Sequence, residues 1–205
     1  MLLMRPAFAL AALVLACGKE TPRAAPAGPA PDSFRVAFET SKGRFVVEAV
    51  RAWAPNGADR FYALTREGFF DGNRFFRVVP GFVAQFGIAD DPKANERWEK
   101  RPLPDDSVRQ HNVRGTIVFT RDGPNTRSHQ MFVNLADNSR LDRDGFAPFG
   151  RVVEGMAVVD SLYDDYGEDP QQNLIRTLGN NYLQRMFPKL DYIVTARVVG
   201  DSAKR

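Results

Sequence analysis

Phe75-Phe76-Arg77-Val78-Val79-Pro80-Gly81-Phe82-Val83-Ala84-Gln85-Phe86-Gly87 is the stretch on which the reading of the chain turns. Two apolar, β-prone runs flank Pro80-Gly81, a dipeptide suited to a tight turn, so the segment is predicted to fold as a hairpin. A turn centred on Gly81 sets Arg77 across from Gln85. Side chains alternate faces along a strand, so the two project from the same side of the sheet. The result is a polar pair beside Phe82 and Val83. The hairpin alone leaves a plainer reading open, in which Arg77 is one more solvated cation on a sheet exterior.

Outward from this hairpin the pattern stays β-rich. Phe34–Phe38 and Arg44–Val50 flank Ser41-Lys42-Gly43 and predict an N-terminal hairpin. Thr116–Thr120, Met131–Leu135, Phe149–Val153 and Asp191–Val199 read as further short strands between turn residues. Pro55 suits the first turn of a helix in which Ala58, Phe61 and Leu64 recur at helical spacing and Gly68 closes the end. A second short helix is expected at Glu154–Leu162. Leu174, Ile175, Leu178, Tyr182 and Met186 are spaced like an amphipathic helix that Gly179-Asn180-Asn181 interrupts, so two short helical pieces are expected there. There is no βαβ alternation. The fold class is therefore mostly β: a closed eight-stranded antiparallel barrel capped by two α-helices, with a short helical insertion before the last strand.

The termini read differently. Met1–Arg5 carries one positive charge, Pro6–Ala16 is almost wholly apolar, and Val14-Leu15-Ala16-Cys17 follows. The run is too short to span a bilayer and reads as a signal-peptide core. Val-Leu-Ala-Cys resembles the bacterial lipobox, which makes residues 1–17 a lipoprotein signal and Cys17 the lipidated residue. An ordinary secretory signal cut near Ala25-Pro26-Ala27 is the alternative. Residues 18–33 are Pro/Ala/Gly-rich and read as a semi-rigid tether. The folded domain is expected over 34–200, with a tail at 201–205. The implied location is the bacterial cell envelope, lipid-anchored and facing the periplasm. Gly18 after the Cys points weakly to the outer membrane.

Several functions are excluded early. Net charge is only +3 and the basic residues are scattered among acids, so no nucleic-acid partner is expected. The chain has two histidines without a helical partner and one cysteine, so neither a metal site nor a cofactor is expected. His111 and His129 are read as loop or groove-edge residues. Asp137–Gly145 mimics a calcium loop, but its ligand spacing is wrong and Pro148 falls where the terminal Glu belongs.

A second segment carries more weight. Gly115-Thr116-Ile117-Val118-Phe119-Thr120-Arg121-Asp122-Gly123-Pro124-Asn125-Thr126-Arg127-Ser128-His129-Gln130-Met131-Phe132-Val133 joins two strands through a polar loop. With the Arg77–Gln85 hairpin, and with Leu141-Asp142 followed by Phe149-Gly150-Arg151-Val152-Val153-Glu154-Gly155-Met156, it resembles the cyclophilin family of peptidyl-prolyl isomerases. That family shows F-x-R-x-x-P-G-F-x-x-Q-x-G, G-P-N-T-x-x-S-Q-F-F and L-D…F-G-x-V-x-x-G-M. The resemblance spans roughly Phe34 to Val199.

The resemblance implies a monomeric isomerase that acts on X-Pro bonds of polypeptides and assists folding. It makes Arg77 and Gln85 the catalytic pair. Phe82, Val83, Phe132 and Leu141 would line the slot for the proline ring. Thr120, Arg121 and Gln130 would border the peptide groove, with Phe146 as an apolar wall. Departures stand beside the matches. His129 and Met131 replace the usual Ser and Phe, and Arg140 stands where many members have Trp, which implies weak binding of cyclosporin-class inhibitors. Phe146 replaces a His. Arg121 and Asp122 replace Asn and Ala, and Arg121 is expected to add positive charge that favours acidic residues near the proline. Residues 166–190 exceed the family's usual connection and carry no assigned role. One other class stays open, a non-catalytic module that grips Pro-containing segments; a ligand-carrying barrel would need a hollow interior, and too many large Phe residues point at the core for that.

Overall fold

The computed structural model describes residues 28–199. The Val14–Cys17 stretch, the first part of the tether and the tail at 201–205 lie outside the described residues. Among the described residues there are eight strands: β1 (Ser33–Thr40), β2 (Gly43–Val50), β3 (Arg77–Val79), β4 (Val83–Phe86), β5 (Thr116–Phe119), β6 (Met131–Asn134), β7 (Gly150–Glu154) and β8 (Ile193–Val198). They make one sheet in the order β3-β4-β6-β5-β7-β2-β1-β8, and every neighbouring pair is antiparallel. The sheet curls until its ends meet. An antiparallel bridge joins Arg74 to Tyr192, and the amide of Phe75 donates to the Asp191 carbonyl at 3.0 Å.

Alternation explains why this sheet encloses a core. In β1, Phe34, Val36 and Phe38 are buried while Arg35 and Glu39 are exposed. Phe38 pairs with Phe45 of β2, and their rings stack in parallel at 4.7 Å. Phe61, Phe70, Phe86, Phe119 and Phe149 fill the remaining interior and are fully buried. Each aromatic buries roughly 150–250 Å² of surface, so these rings dominate the apolar contribution. The barrel is solid, which removes the ligand-carrier reading.

Helix α1 (Pro55–Glu67) begins with Pro and ends at Gly68 in left-handed geometry, φ 73°. Its own N-cap residue, Ala54, supplies no side-chain bond. The cap comes instead from Asp106, whose carboxylate accepts from the amides of Asn56 (3.0 Å) and Gly57 (2.9 Å). Buried Arg127 donates to the same carboxylate at 3.0 Å.

Three features depart from the expected boundaries, and a fourth, the split insertion, follows them. The fold starts upstream of Phe34: Ser33 opens β1, Ala30 is buried, and its amide donates to Asp59 at 2.9 Å. A helix α2 (Pro92–Glu99) was not anticipated; Asp91 caps it and Trp98 packs its buried face. Helix α3 (Met156–Asp160) is shorter than Glu154–Leu162, because Glu154 stays paired to Val46 in the sheet and Gly155 turns the chain with φ 75°. The insertion holds α4 (Gln172–Leu178) and α5 (Asn180–Met186), split at Gly179, whose φ 60° and ψ −150° suit glycine almost alone.

Candidate active site

The β3–β4 hairpin places the central pair. Pro80 and Gly81 occupy the middle of a tight turn closed by the Phe82 amide on the Val79 carbonyl at 3.0 Å, and Gly81 takes the positive φ of 69° that a type II turn requires. The register pairs Arg77 with Gln85, as the sequence predicts, and Gln85 with Phe132 on β6. Alternation then turns Arg77, Val83, Gln85, Val118 and Phe132 to the outside of the barrel, while Val78, Ala84, Phe86 and Val133 go to the core.

On that outer face Val83, Val118 and Phe132 form a small apolar cluster separate from the barrel interior, joined by Phe82, Leu141 and Phe146. Phe132 and Phe146 lie 5.8 Å apart. This floor belongs to a pocket of about 260 Å³. All ten residues expected at the site line it: Arg77, Phe82, Val83, Gln85, Thr120, Arg121, Gln130, Phe132, Leu141 and Phe146.

A relay of hydrogen bonds fixes the polar side. Arg77 Nη1 donates to Gln85 Oε1 at 3.3 Å, and Gln85 Nε2 donates to Gln130 Oε1 at 3.0 Å. Arginine can only donate, so the direction of the relay sets the orientation of the Gln85 amide. Gln85 and Gln130 are both buried, which holds the relay still. The Leu141–Phe146 segment is tied down from below by Asn112. Its side chain donates to Asp142 (2.7 Å) and to the Phe146 carbonyl (2.8 Å).

Reading the sequence missed one wall. Gln172 and Arg176 of α4 line the same pocket. Glu168, just before α4, accepts from Arg77 Nε at 2.7 Å and also bonds Nη2. The only signal was the excess length of residues 166–190, because Glu168 lies 91 positions from Arg77 and no periodicity links them. Arg140 was visible as a replacement for Trp; its guanidinium lies 4.8 Å from the Phe82 ring, and that of Arg77 lies 5.3 Å from the same ring.

Two expectations are corrected. Arg121 is not a free cation at the groove. It donates to the carbonyls of Gly123 (3.2 Å) and Gly145 (3.0 Å) and to Asp105 (3.1 Å), so its charge is spent on holding loops together. His129 is not at the groove edge. Its ring is fully buried against Phe69, with Nδ1 on the Gly87 carbonyl at 2.5 Å, and burial pushes the imidazole below its ordinary value. His111, by contrast, is an exposed loop residue whose Nδ1 meets Asp142 at 2.7 Å.

Comparison with known proteins agrees with this geometry. The model of the family "Cyclophilin type peptidyl-prolyl cis-trans isomerase/CLD" matches residues 35–178. A peptidyl-prolyl cis-trans isomerase of Schizosaccharomyces pombe is 36% identical over 129 residues, which cover 60% of this chain and 81% of the relative. Peptidyl-prolyl cis-trans isomerase A of Dickeya dadantii is 35% identical over 158 residues, covering 73% and 82% of the two chains. The crystal structure of a Hirschia baltica cyclophilin superposes with a TM-score of 0.63 at 23% identity, over 86% of this chain and 77% of that one. With most of its residues inside the family model, and with relatives more than a third identical over four fifths of their own length, the chain belongs to the cyclophilin-type peptidyl-prolyl cis-trans isomerases.

Proposed function

We propose that this chain catalyses cis/trans rotation about X-Pro bonds of exported polypeptides, held at a membrane of the cell envelope by lipid on Cys17. The observation that carries the catalytic part is the Arg77 guanidinium, braced by Gln85 at 3.3 Å beside an apolar floor. Rotation breaks no bond; the barrier of ~18–20 kcal/mol is loss of amide resonance. In the twisted state the prolyl nitrogen becomes pyramidal and gains a lone pair. A guanidinium aimed there stabilises the twisted state more than the planar one, which is the condition for catalysis.

The magnitudes are compatible. Spontaneous exchange takes ~10–100 s. A turnover near ~10² s⁻¹ requires lowering the barrier by roughly 5 kcal/mol. One charge-assisted hydrogen bond contributes about 1.5–3 kcal/mol of that. Seating the proline ring on Val83, Phe132, Leu141 and Phe146 while the preceding carbonyl turns supplies the remainder.

Proline-limited refolding of a test protein checks the reading, wild type against Arg77→Ala. Acceleration by the wild type alone is expected. Equal rates would leave a binding module that grips Pro-containing segments. For the anchor, labelled fatty acid should enter the wild type and not Cys17→Ala; a wild type that takes up no label would return the N-terminus to an ordinary secretory signal.

A further inference from the structure

Three arginines line the pocket, Arg77, Arg121 and Arg176, and a fourth, Arg140, lies over the Phe82 ring that lines it; they are not equivalent. Arg121 is neutralised by Asp105 and two carbonyls, and Arg176 by Glu99 at 3.0 Å. Arg77 and Arg140 share a different situation. Both guanidinium groups lie over the one Phe82 ring, at 5.3 and 4.8 Å. Two like charges on one ring repel, and among the described residues no ion pair joins Arg140. The carboxylate that answers this pair is Glu168, bound through a single oxygen to Nε and Nη2 of Arg77.

That contact is exchangeable. The Glu168 side chain is 64% exposed, and an ion pair so open to water is weak. It also occupies an edge of the guanidinium that a bound peptide would otherwise meet. Asp122, the carboxylate that lines the pocket itself, follows β5, which is three strands from β3 in the sheet order. It does not compete for the Phe82 end. Arg140 lies 4.8 Å from a ring that lines the pocket, a gap spanned by one or two extended residues at ~3.3–3.6 Å each.

We propose that the groove selects polypeptides with an acidic side chain within one or two residues of the proline, received by Arg140 and Arg77, and that Glu168 is the internal carboxylate this side chain replaces. The proposal rests on the isomerase reading and names its substrate class. A neutral peptide must displace Glu168 without restoring the lost charge pairing. An acidic peptide restores it and engages Arg140 as well. A lysine at the same place meets two cations.

The test uses the full chain and three tetrapeptide series identical except for Glu, Gln or Lys beside the proline, with kcat/KM and Kd measured for each. Wild type is expected to favour Glu over Gln and Gln over Lys by about 5-fold per step, the scale of exposed charge pairs. Arg140→Gln should bring the Glu peptide down to the Gln peptide. Glu168→Gln should lower KM for the Gln and Glu peptides alike, since neither then has a carboxylate to displace. In the wild type the advantage should shrink as salt rises from about 0.05 to 0.5 M. Equal constants for the Glu and Lys peptides, or a preference that survives Arg140→Gln, overturn the proposal. If no peptide is turned over, the isomerase reading fails instead, and the same ranking in Kd decides this one.

Discussion

At the scale of single residues, what matters at Arg77 is shape as much as charge. Its planar fork lets Gln85 hold one arm while Glu168 meets the Nε–Nη2 edge, and a lysine ammonium has no such plane. Arg77→Lys is therefore expected to lose about 10- to 100-fold in kcat/KM, from the ~1.5–3 kcal/mol of one charge-assisted bond, while circular dichroism stays native. A lysine variant within 2-fold of wild type, by this ~1.36 kcal/mol per decade scale, would contradict the orientation argument. Arg77 and Gln85 were legible in sequence because a Pro-Gly turn and a period of two leave one register. Glu168 and the spent charge of Arg121 were not, since both depend on partners far away in the chain. His129 was misread for a related reason: nothing local says that its ring packs on Phe69 and bonds the Gly87 carbonyl. Its burial has a sign. The folded imidazole lies below the ordinary value of 6.5, so the unfolded chain takes up a proton first as pH falls. Stability is whole above about pH 6.5 and declines below it, by at most ~1.36 kcal/mol per pH unit, until the folded ring also protonates. Urea midpoints at about pH 7.5 and 5.5 should separate more for wild type than for His129→Gln; parallel shifts would remove His129 as the cause.

At the scale of elements, α1 shows why a helix can be legible while its support is not. Pro55, the apolar spacing and Gly68 mark it in the sequence. Its cap, Asp106, comes from 50 positions away and is itself held by Arg127, the two side chains being 2% and 1% exposed. Removing one partner from such a buried pair typically costs ~3–5 kcal/mol, because the other charge is stranded. Asp106→Ala should accordingly lower the melting temperature by about 6–20 °C, at ~2–4 °C per kcal/mol for a domain of this size. Its kcat/KM, measured well below the melt, should change little. A second test concerns the insertion. An alanine Cβ at Gly179 would lie 2.4 Å from the Asp90 carbonyl oxygen, in a backbone conformation that costs ~1–3 kcal/mol for other residues. Gly179→Ala should speed amide exchange in α4 and α5 and leave β1 and β2 unchanged; uniform exchange across the chain would show that the insertion is not a separate unit. The insertion's two pieces were readable from Gly179, whereas α2 was too short and too polar to stand out.

At the scale of the whole molecule, the eight strands were legible because each is short, apolar and bounded by turns, and antiparallel order follows when no crossover helices intervene. Which rings touch was not, since packing is decided in three dimensions. Phe38 is the centre of that packing, with Phe45, Phe61, Phe70 and Phe86 all within 6.2 Å of it. Phe38→Ala is expected to destabilise by ~3–5 kcal/mol through lost transfer energy and the cavity left behind. A drop under ~1 kcal/mol would mean the stack collapses to fill the gap.

Because the interior is filled with rings and the Arg77 pocket opens on the outside of the barrel, a client of the proposed enzyme need never be swallowed. Its chain can run past in both directions, one imide resting in the notch at a time, so length sets no upper limit. A nearly finished protein with a single stiff loop standing proud of its surface is as eligible as a nascent strand, provided that loop can reach.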